Sequence, residues 1–195
     1  IYLDGMEGGT GAGPHLAAEE TGVPGIAAIR QARQALDDVG KSGDITLSYA
    51  GGIRNGADVA KALALGAEAV AIGHSSMMAL NCNKDIAEAD YEKEIGVKAG
   101  HCYHCHTGRC PVGVATQDPE LRKRLDPDAA AERVYNFLHC LAIECQMMAR
   151  ACGKTNVHSL EPEDLAALTM EASAMAQVPL AGSQHTVGRP DMTRF

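Results

Sequence analysis

The stretch GGIRNGADVAKALALGAEAVAIG, Gly51–Gly73, decides the architecture. It opens on two glycines directly after the apolar run Ile45–Ala50. It then passes through an Ala/Leu segment over Asp58–Leu65, crosses Gly66, and ends in a second apolar run, Ala69–Ile72, closed by Gly73 and His74. Two short strand-like runs joined by so brief a helical segment read as a strand–helix–strand unit with parallel strands. Right-handed crossovers of this kind build either a doubly wound sheet or a barrel. In both, the loops that follow the strand C-termini build the site.

Outward from this unit the chain keeps the same alphabet. Pro24–Val39 carries Ile26, Ile29, Leu36 and Val39 near helical spacing and is expected to be an amphipathic helix. Gly5–Pro14 is a glycine-rich loop, and Ile1–Leu3 reads as the end of a buried strand. On the other side, Asn81–Gly100 is polar and charged, a surface excursion, and His101–Val114 concentrates Cys, His and Gly. Asp126–Pro127 resembles an N-cap followed by proline at the first helical position. The helix it opens is expected to run to about Cys152 and stop at Gly153, with Val134, Phe137, Leu138, Leu141, Cys145 and Met148 as its apolar stripe. A further helix is expected from near Pro162, carrying Leu165, Leu168 and Met170, before an irregular tail from Pro179 to Phe195. The chain therefore divides into βα units over 1–80, an inserted segment with a cysteine loop over 81–125, and closing helices with a tail over 126–195.

Composition sets the outer limits. With 195 residues, 46% hydrophobic and 22% charged, the chain can bury an ordinary globular core. A net charge of −8 disfavours nucleic acid and anionic membrane surfaces as partners. No apolar run approaches the ~20 residues that span a bilayer. The N-terminus IYLDGMEGG has neither the basic region nor the apolar stretch of a signal peptide and lacks an initiator Met, so a piece of a longer polypeptide is expected. Seven cysteines form an odd set in a chain rich in Ala, Leu and Val, which argues against a disulfide scaffold. Three of them lie within the nine residues Cys102–Cys110, a density that suits a metal or cluster in a reducing compartment, and hence the cytoplasm. Cys145 and Cys152, seven apart, read as core residues.

The glycine loops point to an anion. A phosphate needs backbone N–H groups, little side-chain bulk and preferably a helix N-terminus. Gly51–Gly52 and Gly73–His74 supply the first two on successive strands, the helix opening near Asp58 is a source of the third, and Arg54 offers a charge-assisted bond. Asp58 itself is expected to cap the helix rather than act as a base. His15 and Glu19 follow the first glycine loop and either face substrate or begin a solvated helix, and the pairs Met77–Met78 and Met147–Met148 read as core filling. His139 and His158 read as ordinary, partly exposed histidines.

These residues carry a resemblance. Gly51–Gly73 is similar to the last two βα units of FMN-dependent barrels and of the flavin-free inosine monophosphate dehydrogenases. DGMEGGTGAGP, Asp4–Pro14, resembles the loop of form DGGTGASP in glutamate synthases, and CHTGRCPVGVATQDPELRKR, Cys105–Arg124, resembles that family's cluster segment. The likeness runs over residues 1 to 153 and more weakly beyond. It implies the last three βα units of a (β/α)8 TIM barrel, within the α/β class, with an inserted cluster loop and C-terminal helices. It further implies FMN held by Gly51, Gly52, Arg54, Gly73 and His74 together with Gly8, Gly9 and Thr10, and an iron–sulfur cluster on Cys105 and Cys110. Cys102 and Cys82 compete for the first thiol, because Asn83–His101 separates them: Cys82 keeps the family's place relative to the barrel loop, and Cys102 lies three residues before Cys105. Three thiols would hold [3Fe–4S] and four [4Fe–4S], while His101, His104 and His106 leave zinc open. The implied reaction is reductive amination of 2-oxoglutarate through 2-iminoglutarate. The implied partners are an electron-donor protein or subunit and a glutamine amidotransferase domain or subunit, in an oligomer. An N-methylglutamate synthase, using methylamine and glutamate, is favoured by the insert and by Glu7, and a non-catalytic electron-transfer or assembly subunit is the third reading. The family's catalytic Lys lies on earlier strands, so no general acid or base is assigned.

Overall fold

A computed structural model describes residues 1–9, 13–82, 93, 96, 102 and 104–189. Its centre is a three-stranded parallel sheet, ordered β1 (Tyr2–Asp4), β2 (Ser48–Ala50), β3 (Ala69–Ala71). The register aligns Asp4 with Ala50 and Ala50 with Ala71, so the three strands end side by side. Leu3, Tyr49 and Val70 stand level and share one face of the sheet, because side chains alternate along a strand. Helices α2 (Gly25–Asp38) and α3 (Gly56–Ala64) pack on the sheet. This is an α/β arrangement with a small parallel sheet, as the alternating pattern predicts.

The core forms where these layers meet. Ile29 and Leu36 of α2, Leu47 and Tyr49 around β2, and Val59, Leu63 and Leu65 around α3 are buried together. The long helix α6 (Pro127–Ala151) covers α3 with Leu141, Cys145 and Ala149. Each fully buried aliphatic side chain contributes roughly 1.5–3 kcal/mol by leaving water. Short helices α1 (His15–Glu20), α4 (His74–Ala79) and α5 (Pro119–Arg122) lie in the connections, and α7 (Met170–Ala176) packs on α2. Among the described residues no helix is long and apolar enough to cross a membrane.

Several expectations need correction. The second strand starts at Ser48 rather than Ile45, because a turn closes first: Asp44 and Ile45 both donate to the Lys41 carbonyl. Helix α3 starts at Gly56, and its cap is Asn55, whose side chain accepts from the Asp58 N–H at 2.9 Å. Residues after Gly73 form α4 instead of a loop. No helix starts at Pro162. A 3₁₀ turn, Pro162–Asp164, is closed by the reciprocal Glu161–Asp164 box, an extended stretch pairs Ala167 with Leu180, and Thr169 then caps α7. Leu168 and Met170 are exposed accordingly. On α6 the buried line is Ala130, Leu141, Cys145 and Ala149, so Leu138 and Met148 fall off the expected stripe. Met78, Met147 and Met148 are exposed rather than core filling. Most of the Asn81–Gly100 excursion lies outside the described residues, as do the side chains of His15 and Glu19.

Arg33 ties α2 to the turn before β3. Its guanidinium donates to the Gly66 carbonyl at 2.9 and 2.6 Å and to Glu68 Oε1 at 2.6 Å. The Arg33 hydrogen bond holds the Glu68 carboxyl below its ordinary 4.5. A depressed folded value means stability that is present above the unfolded pKa and is lost as pH falls through the folded one. Glu68 is partly exposed, so the contribution is expected to stay below about 1 kcal/mol. Urea midpoints measured from pH 6 to about pH 3 should converge for the wild type and Glu68→Gln at the acid end.

Candidate functional site

The strand ends open into a cavity of about 630 Å³. Its wall brings together Gly8 and Gly9 after β1, Gly51 to Arg54 after β2, and Gly73 to Ser75 after β3. Seven of the expected anion-site residues, Gly8, Gly9, Gly51, Gly52, Arg54, Gly73 and His74, thus share one cavity, and Thr10 lies outside the described residues. Gly51 (φ +124°) and Gly52 (φ +66°) take backbone conformations that side chains resist, so the loop can turn back over the strand ends. Ser75 donates to the Ile53 carbonyl at 2.7 Å and fastens the third loop to the second. That contact was not part of the sequence pattern.

Two expected donors are already engaged. Asp58 accepts from the Arg54 backbone N–H at 3.1 Å and from Arg54 Nε at 3.0 Å. The guanidinium remains largely exposed, but any anion it meets must share it with this carboxylate. Two of the first N–H groups of α3 are also occupied: Gly56 N–H goes to Glu144 Oε2 at 2.7 Å and Asp58 N–H to Asn55. The Gly56 and Asp58 N–H groups are therefore already engaged within the chain. The glycine loops and the start of α4 are the parts that face the cavity.

The pairing of Glu7 with Tyr49 lay outside the sequence pattern. Both Glu7 carboxylate oxygens accept from the Gly25 N–H, at 3.2 and 3.1 Å, and Tyr49 donates its hydroxyl to Oε2 at 3.3 Å. Burial, and then the Glu7 carboxylate, push the Tyr49 hydroxyl well above its ordinary 10. Glu7 also borders a second cavity, of about 360 Å³, between α2 and α3.

Cys82, Cys102, Cys105 and Cys110 follow α4 in the chain. Cys82 follows that helix, half-buried, and its thiol is raised by burial and then by Cys105, Cys110 and Cys102 as neighbours. The Cys105 thiol, on a residue that is exposed as a whole, is raised by partial desolvation and by Cys102 and Cys110. Cys82 is within electrostatic reach of the other three thiols, and Cys105 of Cys102 and Cys110; Cys110 is buried and Cys105 exposed. The loop that carries them folds on itself. Thr116 donates to the Gly108 carbonyl, and Arg124 donates to the Pro111 carbonyl at 2.8 Å. Among the described residues, no three His, Cys, Asp or Glu side chains converge on a single-ion point. Thiolates are soft donors that suit iron and zinc alike. His101 lies outside the described residues, and His104 and His106 form a 3₁₀ turn around Cys105.

Residues 1–155 match a family model described as a conserved region in glutamate synthase. A "Glutamate synthase large subunit-like protein" of Rhizobium meliloti (strain 1021) is 53% identical over 189 residues, 97% of this chain and 42% of that protein. The "Archaeal glutamate synthase [NADPH]" of Methanocaldococcus jannaschii is 39% identical over 160 residues, 82% of this chain and 28% of that protein. The "Glutamate synthase [NADPH] large chain" of Bacillus subtilis (strain 168) is 33% identical over 155 residues, 78% of this chain and 9% of that protein. The chain spans less than half the length of each.

Proposed function

The chain belongs to the glutamate synthase family, and from that premise we propose that it is the FMN-phosphate and iron–sulfur portion of a glutamate synthase-type enzyme. The supporting observation is the convergence of three glycine-bearing loops on one cavity at the ends of three parallel strands. In this reading the strands are the last three of a (β/α)8 barrel, residues 81–125 are an insert carrying the cluster loop, and residues 126–195 close the unit. Backbone N–H groups of Gly51, Gly52 and Gly73, with His74, would hold the phosphate, and Gly8, Gly9 and Thr10 would border the flavin. FMN, when bound, supplies hydride-transfer chemistry. The chain's own part is to orient that group. Bulk is absent where the phosphate needs backbone contact, and Arg54, held by Asp58, adds positive charge at the rim.

Cys105 and Cys110, with Cys82 and Cys102, would hold the cluster, whose chemistry is one-electron transfer. Cys82 directly follows α4, and α4 begins at the cavity, so the cluster would sit close to the flavin. The whole protein would form glutamate from 2-oxoglutarate in the cytoplasm. It would draw electrons from a donor protein or subunit and ammonia from an amidotransferase domain or subunit.

The full-length protein, isolated under mild conditions, is expected to carry FMN or to take it up. Gly52→Val should weaken FMN binding by about tenfold or more, because a β-branched residue is strained at φ +66° and its Cβ would meet Glu7 Cβ at 3.1 Å. Fluorescence quenching of added FMN measures this, and full-length protein that binds none would remove the reading.

A further inference from the structure

Loop 51–54 must hold its shape to present backbone N–H groups, and what holds it is not in the loop. Gly52 rests against the Glu7 side chain: a Cβ added at Gly52 would lie 3.1 Å from Glu7 Cβ and 3.5 Å from Glu7 Cγ. The far end of Glu7 is fixed independently, by the Gly25 N–H and the Tyr49 hydroxyl. Tyr49 reaches that carboxylate only because no side chains intervene. Added Cβ atoms at Gly5, Gly25 and Gly51 would come within 2.7, 1.8 and 2.8 Å of its hydroxyl oxygen. The first glycine loop is tied in as well, by Gly5 N–H to the Ala50 carbonyl at 2.9 Å. Loop 5–9, the start of α2 and the end of β2 therefore meet on one carboxylate.

We infer that Glu7 is the positioning residue of the anion site: its carboxylate, gripped by Gly25 and Tyr49, holds its own methylenes beneath Gly52 and so sets the first glycine loop against the second. The inference rests on the cofactor reading only for the identity of the anion. The clamp itself is a property of this chain. Charge-assisted bonds to a carboxylate are stronger than neutral ones, yet a glutamine at this position keeps an acceptor for Gly25 and the same methylenes. Alanine removes both.

The test uses full-length apoprotein of the wild type, Glu7→Ala, Glu7→Gln and Tyr49→Phe. Backbone hydrogen exchange is read first. Glu7→Ala should speed exchange at Gly25 and across 51–54 by about tenfold or more, Tyr49→Phe less, and Glu7→Gln least. Binding of FMN and of riboflavin, which lacks the phosphate, is read second. Glu7→Ala should weaken FMN by about tenfold while riboflavin changes little, and Glu7→Gln should restore most of the FMN affinity. Unchanged exchange at 51–54 in Glu7→Ala overturns the inference whatever the flavin does. So does an equal loss of FMN and riboflavin. If Glu7→Ala does not fold, the same comparison between Tyr49→Phe, Glu7→Gln and the wild type decides, and exchange at 51–54 unchanged in both variants overturns it. Exchange that changes as expected in a protein that binds no flavin upholds the clamp and removes the cofactor reading instead.

Discussion

Replacing Gly56 with alanine is expected to lower stability by about 3 kcal/mol, a large share of the roughly 5–15 kcal/mol that keeps a domain folded. Gly56 is the first residue of α3 and lies directly against α6. An added Cβ would stand 2.4 Å from Glu144 Cβ and from the Leu141 carbonyl oxygen, and 2.5 Å from the Cys145 nitrogen. Two of those three atoms are helix backbone, which cannot swing aside as the end of a side chain can. Relief requires α3 and α6 to separate, and Val59, Leu63, Leu141, Cys145 and Ala149 are the core they share. The Gly56 N–H bond to Glu144 would be lost with them. Urea unfolding of the full chain is the measurement. A fall of less than about 1 kcal/mol would mean that the helices separate at little cost. Glu144→Gln serves as the comparison, since it alters only the hydrogen bond and should cost about 1 kcal/mol.

The contrast between Gly56 and Gly52 marks how far the sequence was legible. Apolar runs, glycines at their ends and an Ala/Leu segment between them announce parallel strands, because each signal is local. The seven cavity residues were legible for the same reason: loops after adjacent strands must lie together. The clamp is another matter. Glu7 and Tyr49 are separated by 42 residues, and Gly56 and Glu144 by 88, so no local spacing joins them. Arg54 and Asp58 are different again. They stand four apart, and the i,i+4 pairing rule could have revealed that the guanidinium is partnered. Pro162 misled because a proline after an acidic residue opens a 3₁₀ turn as readily as an α-helix. The Glu161–Asp164 box closed the turn before a second helical turn could form. On α6, the apolar residues exceed what one packing face can bury, so composition could not tell Ala149 from Met148 as the contact.

The largest expected effect belongs to the cysteines. Cys105→Ala and Cys110→Ala should each remove nearly all iron and the broad visible absorption of the full-length protein, because a cluster that loses a thiolate ligand loses its hold on iron. Cys110 is buried and Cys105 exposed, so the two expected ligands differ in their access to solvent. Cys82 and Cys102 carry the discriminating result. Both thiols are within electrostatic reach of Cys105, even though Asn83–His101 lies between them in sequence. Iron lost in both variants means four ligands and [4Fe–4S]. Iron lost in Cys82→Ala alone means the family's three-ligand pattern survives the insert, and iron lost in Cys102→Ala alone means that the insert has displaced it. Cys140→Ala is the control: that residue is exposed on α6, and its replacement should leave iron unchanged. Full iron content in both Cys105→Ala and Cys110→Ala would refute the cluster, and zinc would then be the metal to measure.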